Sequence, residues 1–233
     1  MELFQNCYTR EDTYVGKGIF VLNAQEIEEL ELNDYEKKLL VPYIDGNDIS
    51  RYHIGKPSKW LIYADTDVRT QIATDDRCAN IKKHLDNLSE YITSSNAPYG
   101  LHRPRKKHFF ENTKILMPSM FGNNDFVIDY KNKYYVGMSF TCIEVISKEY
   151  LVEYILAILN SSVAKKWFYA FGKKRGVGVD IGVEKIRTFP IKPCEMSVQA
   201  EIAELVKKMM SSDTYNADMD EKIDKMIQTI YGG

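Results

Sequence analysis

Three consecutive cations, Lys173, Lys174 and Arg175, run directly into Gly176 and Gly178. Cations beside conformationally free glycines can approach a polyanion backbone closely, and Lys is a good phosphate ligand. The segment reads as a mobile, phosphate-contacting loop. A second cationic stretch, Tyr99-Gly-Leu-His-Arg-Pro-Arg-Lys-Lys-His108, offers different chemistry. Arg and His can donate to base edges in a groove, whereas Lys favours phosphates, so His102, Arg103 and Arg105 read as base-edge donors and Lys106 and Lys107 as phosphate ligands. Pro104 fixes its own φ and biases Arg103 toward an extended backbone, which stiffens the Arg103–Arg105 pair of forked donors. Tyr99 can stack on a base or anchor the loop, and Phe109 and Phe110 read as core anchors. Asn123 and Asn124 mark a turn, and an exposed Asn can pair bidentately with adenine.

Catalytic arrangements are missing. A dinucleotide loop follows a buried strand and opens a helix, but Gly176-Val-Gly178 follows a helical segment and three cations. The run Asp12-Thr-Tyr-Val-Gly-Lys-Gly18 has only polar residues before it. Asp129, Glu144 and Lys148 faintly suggest a paired-carboxylate metal site, yet the four-residue gap from Glu144 to Lys148 is too wide for one strand. Cys7, Cys78, Cys142 and Cys194 are scattered, and the four His do not join them at a zinc spacing. No catalytic and no metal-ligating residue is assigned.

These residues need a scaffold. With 233 residues and 44% hydrophobic content, the chain can bury a sizeable core. Its net charge of −2 gives no bulk case for a polyanionic partner, but the charge is unevenly spread. Residues 99–114 hold five cations against one acid, and residues 165–187 hold seven against two. The ends are acidic, with eleven acids against four cations in residues 1–50 and eight against four in residues 195–233. No 18-residue apolar run and no secretory segment is present, which predicts a cytoplasmic protein with reduced thiols and no membrane role.

Periodicity predicts strands at Gly18–Leu22, Lys59–Tyr63, Lys114–Met117, Phe126–Asp129 and Phe140–Ile146. Helices are expected over Gln25–Leu40, over Asn80–Tyr91 with Ile81, Leu85 and Leu88 on one face, and over Lys148–Ala170 as one long helix. Val198–Met210 and Met219–Ile230 read as two amphipathic helices. The expectation is an α+β fold: a mixed-sheet domain over residues 1–193 with a long helix, and a helical appendage over residues 194–233 packing on it.

The order of several segments resembles the TaqI-like C-terminal specificity domain of type IIG restriction–modification proteins and related adenine-N6 DNA methyltransferases. The segments are Gly18–Asn23, Val41-Pro-Tyr-Ile-Asp-Gly-Asn-Asp-Ile-Ser-Arg-Tyr52 with Trp60–Tyr63, His84-Leu85, Leu101-His-Arg-Pro-Arg105 with Lys114–Pro118, Tyr154–Ser161 ahead of Phe189-Pro-Ile191, and Ile223–Gly232. The resemblance implies a non-catalytic target-recognition domain that reads double-stranded DNA for a methyltransferase, often with a nuclease, upstream in the same or an adjacent polypeptide. The methyltransferase's Asn-Pro-Pro-Tyr-type loop is absent, since the chain contains no Pro-Pro pair. S-adenosylmethionine and Mg2+ are therefore expected only in the associated catalytic domains, and the chain as a fragment or subunit. Flipping a base out for methylation requires clamping the duplex from two sides, and this domain would be the second jaw. Tyr99, His102, Arg103, Arg105, Lys106, Lys107, Asn123, Asn124, Lys173, Lys174 and Arg175 form the expected contact set. The competing reading is a protein-interaction module, or a type I-like specificity subunit docking a separate methyltransferase through its acidic ends.

Overall fold

In the computed structural model, residues 18–212 and 214–232 are described. Cys7, Arg10 and most of the Asp12–Gly18 run lie outside the described residues. The chain runs through β1 (Val21–Asn23), α1 (Ala24–Glu29), α2 (Asp34–Lys37), β2 (Leu40–Ile44), β3 (Ile49–Ser50), β4 (His53–Ile54) and β5 (Lys59–Ile62). It continues with α3 (Thr66–Thr74), α4 (Ala79–Asn87), α5 (His108–Glu111), β6 (Lys114–Pro118), β7 (Met120–Phe121), β8 (Val127–Asp129), β9 (Tyr135–Val136) and β10 (Phe140–Ile143). Then follow α6 (Val152–Asn160), α7 (Ser162–Phe171), β11 (Lys173–Arg175), β12 (Gly178–Asp180), α8 (Val183–Ile186), α9 (Met196–Ser211) and α10 (Ala217–Tyr231). The fold is α+β. It forms two compact units, each discontinuous in sequence.

The first unit comprises the described residues through Ile44, with Lys56–His108 and Lys133–Gly137. Its sheet has the order β1-β5-β2-β9. Val21 and Val41 flank Leu61 in antiparallel register, and β9 joins parallel with Tyr135 opposite Tyr43. The expected helical face is present: Ile81, Leu85 and Leu88 are all buried, with Leu88 capping α4. The expected helix over Gln25–Leu40 is instead two short ones. Asn23 and Asn33 each start a capping box, with Glu26 and Glu36 returning the bond to the cap backbone. Both glutamates are buried because they also take backbone donors from elsewhere. Glu26 accepts from the Gly18 amide at 2.8 Å, and Glu36 from those of Asn80 and Ile81 at 2.8 and 2.9 Å.

The second unit comprises Asp45–Gly55, Phe109–Asn132 and the described residues from Met138 onward. Val152 aside, every residue of α6 is buried, and the helix packs against α9, α10, β6 and β8. The single long helix expected over Lys148–Ala170 is broken at Ser161, whose backbone is extended. Several groups freed by the break find partners. The Ser161 hydroxyl accepts from the Ala164 amide at 3.1 Å, and Asp224 of α10 accepts from the Ser162 amide at 2.7 Å. The Asn124 amide donates to the Leu159 and Ser161 carbonyls at 2.8 and 3.3 Å. A helix end buried this way is stable only with such partners.

The last two helices are tied into this unit at both ends. The Tyr231 hydroxyl donates to the Pro190 carbonyl at 2.7 Å and accepts from the Lys192 amide, while Tyr154 donates to the Lys192 carbonyl at 2.6 Å. Phe189-Pro-Ile191 and the chain ending are therefore neighbours despite their separation in sequence. At the other end Asp220 accepts two bonds from Arg51, at 2.7 and 2.8 Å, one from Tyr52 at 3.1 Å and one from Tyr215 at 2.6 Å. Asp220→Ala leaves a largely buried guanidinium and the buried Tyr52 hydroxyl without this acceptor. The expected cost is about 2–3 kcal/mol, read as a lower urea midpoint at unchanged m. A loss below about 0.5 kcal/mol would mean that water replaces the carboxylate.

Candidate nucleic-acid interface

In the first unit, the 99–108 segment is anchored by its backbone and leaves its cations outside. Gly100 is required by close packing: a Cβ there would sit 2.7 Å from the Arg69 side chain and 2.9 Å from the Asn96 carbonyl. Asn96 donates to the Leu101 and His102 carbonyls at 2.7 and 3.1 Å, and its own oxygen accepts from Arg69 at 2.6 Å. Buried Leu101 donates its amide to the Ala64 carbonyl at 3.0 Å. Further on, the Tyr63 hydroxyl donates to the Arg105 carbonyl. Burial, then Asp65, pushes the Tyr63 hydroxyl up to about 12, so it remains a donor at neutral pH. His102, Arg103, Arg105, Lys106 and Lys107 are exposed. Lys107 pairs with Asp65 at 3.3 Å. Among the described residues no acid engages the Arg103 or Arg105 guanidinium. Tyr99 is half-buried, donates to Asp86 at 2.7 Å and carries the Lys82 ammonium 5.9 Å from its ring centre. Its hydroxyl is an anchor of this segment.

In the second unit, the Lys173–Arg175 stretch is a strand, which corrects the expectation of a mobile loop. β11 and β12 form an antiparallel hairpin, and β12 also pairs with β7. The turn is Gly176-Val177, with Gly176 at φ +56°, a conformation that glycine adopts without strain. Gly178 has no room for a Cβ, which would stand 2.8 Å from the Phe121 carbonyl oxygen. Lys173 lies opposite Asp180 and Met120, while Lys174 lies opposite Val179 and Phe121. Period-two alternation therefore places Lys173, Arg175, Asp180 and Met120 on one face of this sheet. The other face buries Val179 and Phe121, with Lys174 exposed at its edge. Arg175 is held 3.8 Å from Asp180.

Asn123 is exposed beside this hairpin and accepts from the Lys165 ammonium at 3.0 Å. Tyr169, one turn further along α7, donates to the Gly122 carbonyl at 2.8 Å and lies 3.5 Å from that of Val177. Thus α7 joins the Asn123 turn and the hairpin tip. Lys165 and Tyr169 were not singled out from the sequence. Their i, i+4 spacing on a helix was the available signal. Asn124 has a different place from its neighbour. It is 2% exposed, its amide nitrogen is engaged by carbonyls at the end of α6, and among the described residues its oxygen has no hydrogen-bond partner.

Of the eleven residues, Asn123, Lys173, Lys174 and Arg175 come together in the second unit, Asn124 lies in that unit's interior, and the other six belong to the first. Among the described residues, no group of three His, Cys, Asp or Glu is placed to hold a metal ion. Asp129 is fully buried against Lys114 at 2.5 Å, and Glu144 accepts from Asn112 at 3.0 Å, so neither carboxylate turns to Lys148 as a pair. Cys78, Cys142 and Cys194 are free thiols, and burial pushes Cys142 up to about 11. Among the described residues no helix is long and apolar enough to cross a membrane.

No curated protein matches the chain. Residues 41–191 match the family of the TaqI-like C-terminal specificity domain, a span that includes both cationic elements and their supports. That match covers well over half of the 233 residues, and the chain belongs to the TaqI-like C-terminal specificity domain family, the DNA-recognition part of restriction–modification proteins.

Proposed function

We propose that this chain binds double-stranded DNA sequence-specifically, performs no chemistry itself, and directs an adenine-N6 methyltransferase domain of the same or an adjacent polypeptide. One observation carries the reading: within the family-matching span, cations are displayed from backbone held by buried anchors in both units. Rigid presentation of exposed donors suits recognition, because ordering them on DNA then costs little additional entropy. S-adenosylmethionine and Mg2+ belong, on this reading, to the associated catalytic domains.

A salt titration tests it. The full chain should bind mixed-sequence duplex with log affinity falling linearly against log salt, by about 0.9 per phosphate neutralised. A flat response would favour a protein-interaction module. Incubated with labelled S-adenosylmethionine and duplex, the pure chain should transfer no methyl group.

Arg103 and Arg105 are assigned to base edges on this reading. Arg103→Ala and Arg105→Ala should each relax sequence choice at a guanine position by about 1–3 kcal/mol while lowering affinity for mixed sequence much less. Selection from a randomised duplex pool followed by sequencing checks this. If both variants select the wild-type sequence at every position, the loop is only structural.

A further inference from the structure

The hairpin geometry changes what Arg175 can do. A cation on a mobile loop suits phosphates, but this one stands near the tip of a hairpin that forms one edge of a three-stranded sheet and is fixed from three sides. β12 pairs with β7, Val179 is completely buried, and Tyr169 lies hydrogen-bonded to the Gly122 turn and within 3.5 Å of the tip carbonyl. The tip is bare: Val177 is 98% exposed, and nothing lies within 4 Å of a Cβ placed on Gly176. B-DNA's major groove admits a two-stranded ribbon, and its base edges include thymine methyls that accept apolar contact. Arg175 sits one residue from the turn, with Asp180 at 3.8 Å on the same face. An exposed ion pair at that distance adds little stability, but it biases where the guanidinium fork points.

We infer that the β11–β12 ribbon enters the major groove and that Arg175 is a specificity-determining residue that reads guanine, with Asp180 as its positioning residue and Val177 at the groove floor. Arg175 donates two parallel hydrogen bonds to guanine O6 and N7, while Lys173 and Lys174 remain phosphate contacts. This rests on the DNA-recognition reading above.

The full chain, Arg175→Lys and Asp180→Asn are each used to select from a randomised duplex pool. Lys keeps the charge and loses the fork. Wild type should enrich a sequence containing guanine. Arg175→Lys should lose enrichment at one guanine by about 5- to 150-fold, and at the other positions hardly at all. Asp180→Asn should weaken selection at that same position only, which a purely structural role would not do. A duplex carrying 7-deazaguanine there lacks the N7 acceptor. It should weaken wild type and leave Arg175→Lys unchanged. If wild type binds no duplex and selects nothing, the recognition reading falls and takes this inference with it. If wild type selects a sequence that Arg175→Lys also selects with equal strength at every guanine, the inference alone is overturned. A uniform loss across all sequences makes Arg175 a phosphate contact and likewise overturns it.

Discussion

Replacing Asp129 with alanine is expected to destabilise the second unit by about 3–5 kcal/mol, the largest single-residue effect on its stability predicted here. Asp129 is completely buried and Lys114 is 1% exposed. The carboxylate takes the Lys114 ammonium at 2.5 Å and the Asn132 amide at 2.6 Å, and the ammonium also donates to the Phe110 carbonyl at 2.5 Å. Removing the carboxylate strands a buried cation with one carbonyl for company. The pair's net contribution is a different quantity, because two desolvation penalties offset its attraction. Lys114→Met with Asp129→Leu should therefore lie much closer to wild type than Asp129→Ala alone. Lys114 and Asp129 also face each other in the β6–β8 register, so the pair selects one pairing of those strands. Urea unfolding followed by Trp167 fluorescence in a Trp60→Phe background isolates the second unit, since the chain holds only two Trp. A loss below about 1 kcal/mol for Asp129→Ala would show that water reaches the ammonium.

This pair also marks a limit of sequence reading. Asp129 and Lys114 are fifteen residues apart on neighbouring strands, and a one-residue slip in register would separate them. Nothing in their spacing announces the pair, so Asp129 reads as an isolated acid or as half of a metal site. What was legible depended on local periodicity. Ile81, Leu85 and Leu88 share a helical face that needs no distant partner, and the sequence places the two C-terminal helices to within two residues at all four boundaries. The α6–α7 break was hidden because apolar periodicity runs straight through Ser161. The break is stabilised from outside, by Asn124 and Asp224, 37 and 63 residues from Ser161. The same long-range demand explains Asn124. In sequence it is a turn asparagine like Asn123, and only the fold separates the exposed amide from the buried one.

The hairpin was missed for a related reason. Lys-Lys-Arg followed by glycines has little intrinsic strand preference, and the strand exists because β12 offers it a partner. The candidate residues were thus legible as chemistry, by type and charge, while their presentation was not. A stretch that reads as a flexible tether is a supported ribbon, and that difference decides which of its cations can discriminate bases.

The double substitution Lys173→Ala, Lys174→Ala is expected to weaken binding to all duplexes alike, by about 60-fold at 0.1 M salt and only about 3-fold at 0.5 M. Two neutralised phosphates contribute about 1.8 to the slope of log affinity against log salt, and both figures follow from that slope with the contribution vanishing at about 1 M salt. Both ammonium groups are exposed, and alternation along β11 sends them toward opposite faces of the sheet. A ribbon lying in a groove has a phosphate wall on either side, so one lysine serves each. Neither side chain is in the core, and the folded chain should lose less than about 0.5 kcal/mol, so weaker binding cannot be ascribed to unfolding. A different role is open to edge-strand lysines, which keep an unpaired strand from adding to another chain. The two roles predict opposite outcomes. If the lysines guard the edge, the double variant self-associates on gel filtration and binds DNA with an unchanged salt slope. If they neutralise phosphates, it stays as wild type on the column, its slope flattens by up to about 1.8, and its preferred sequence does not change.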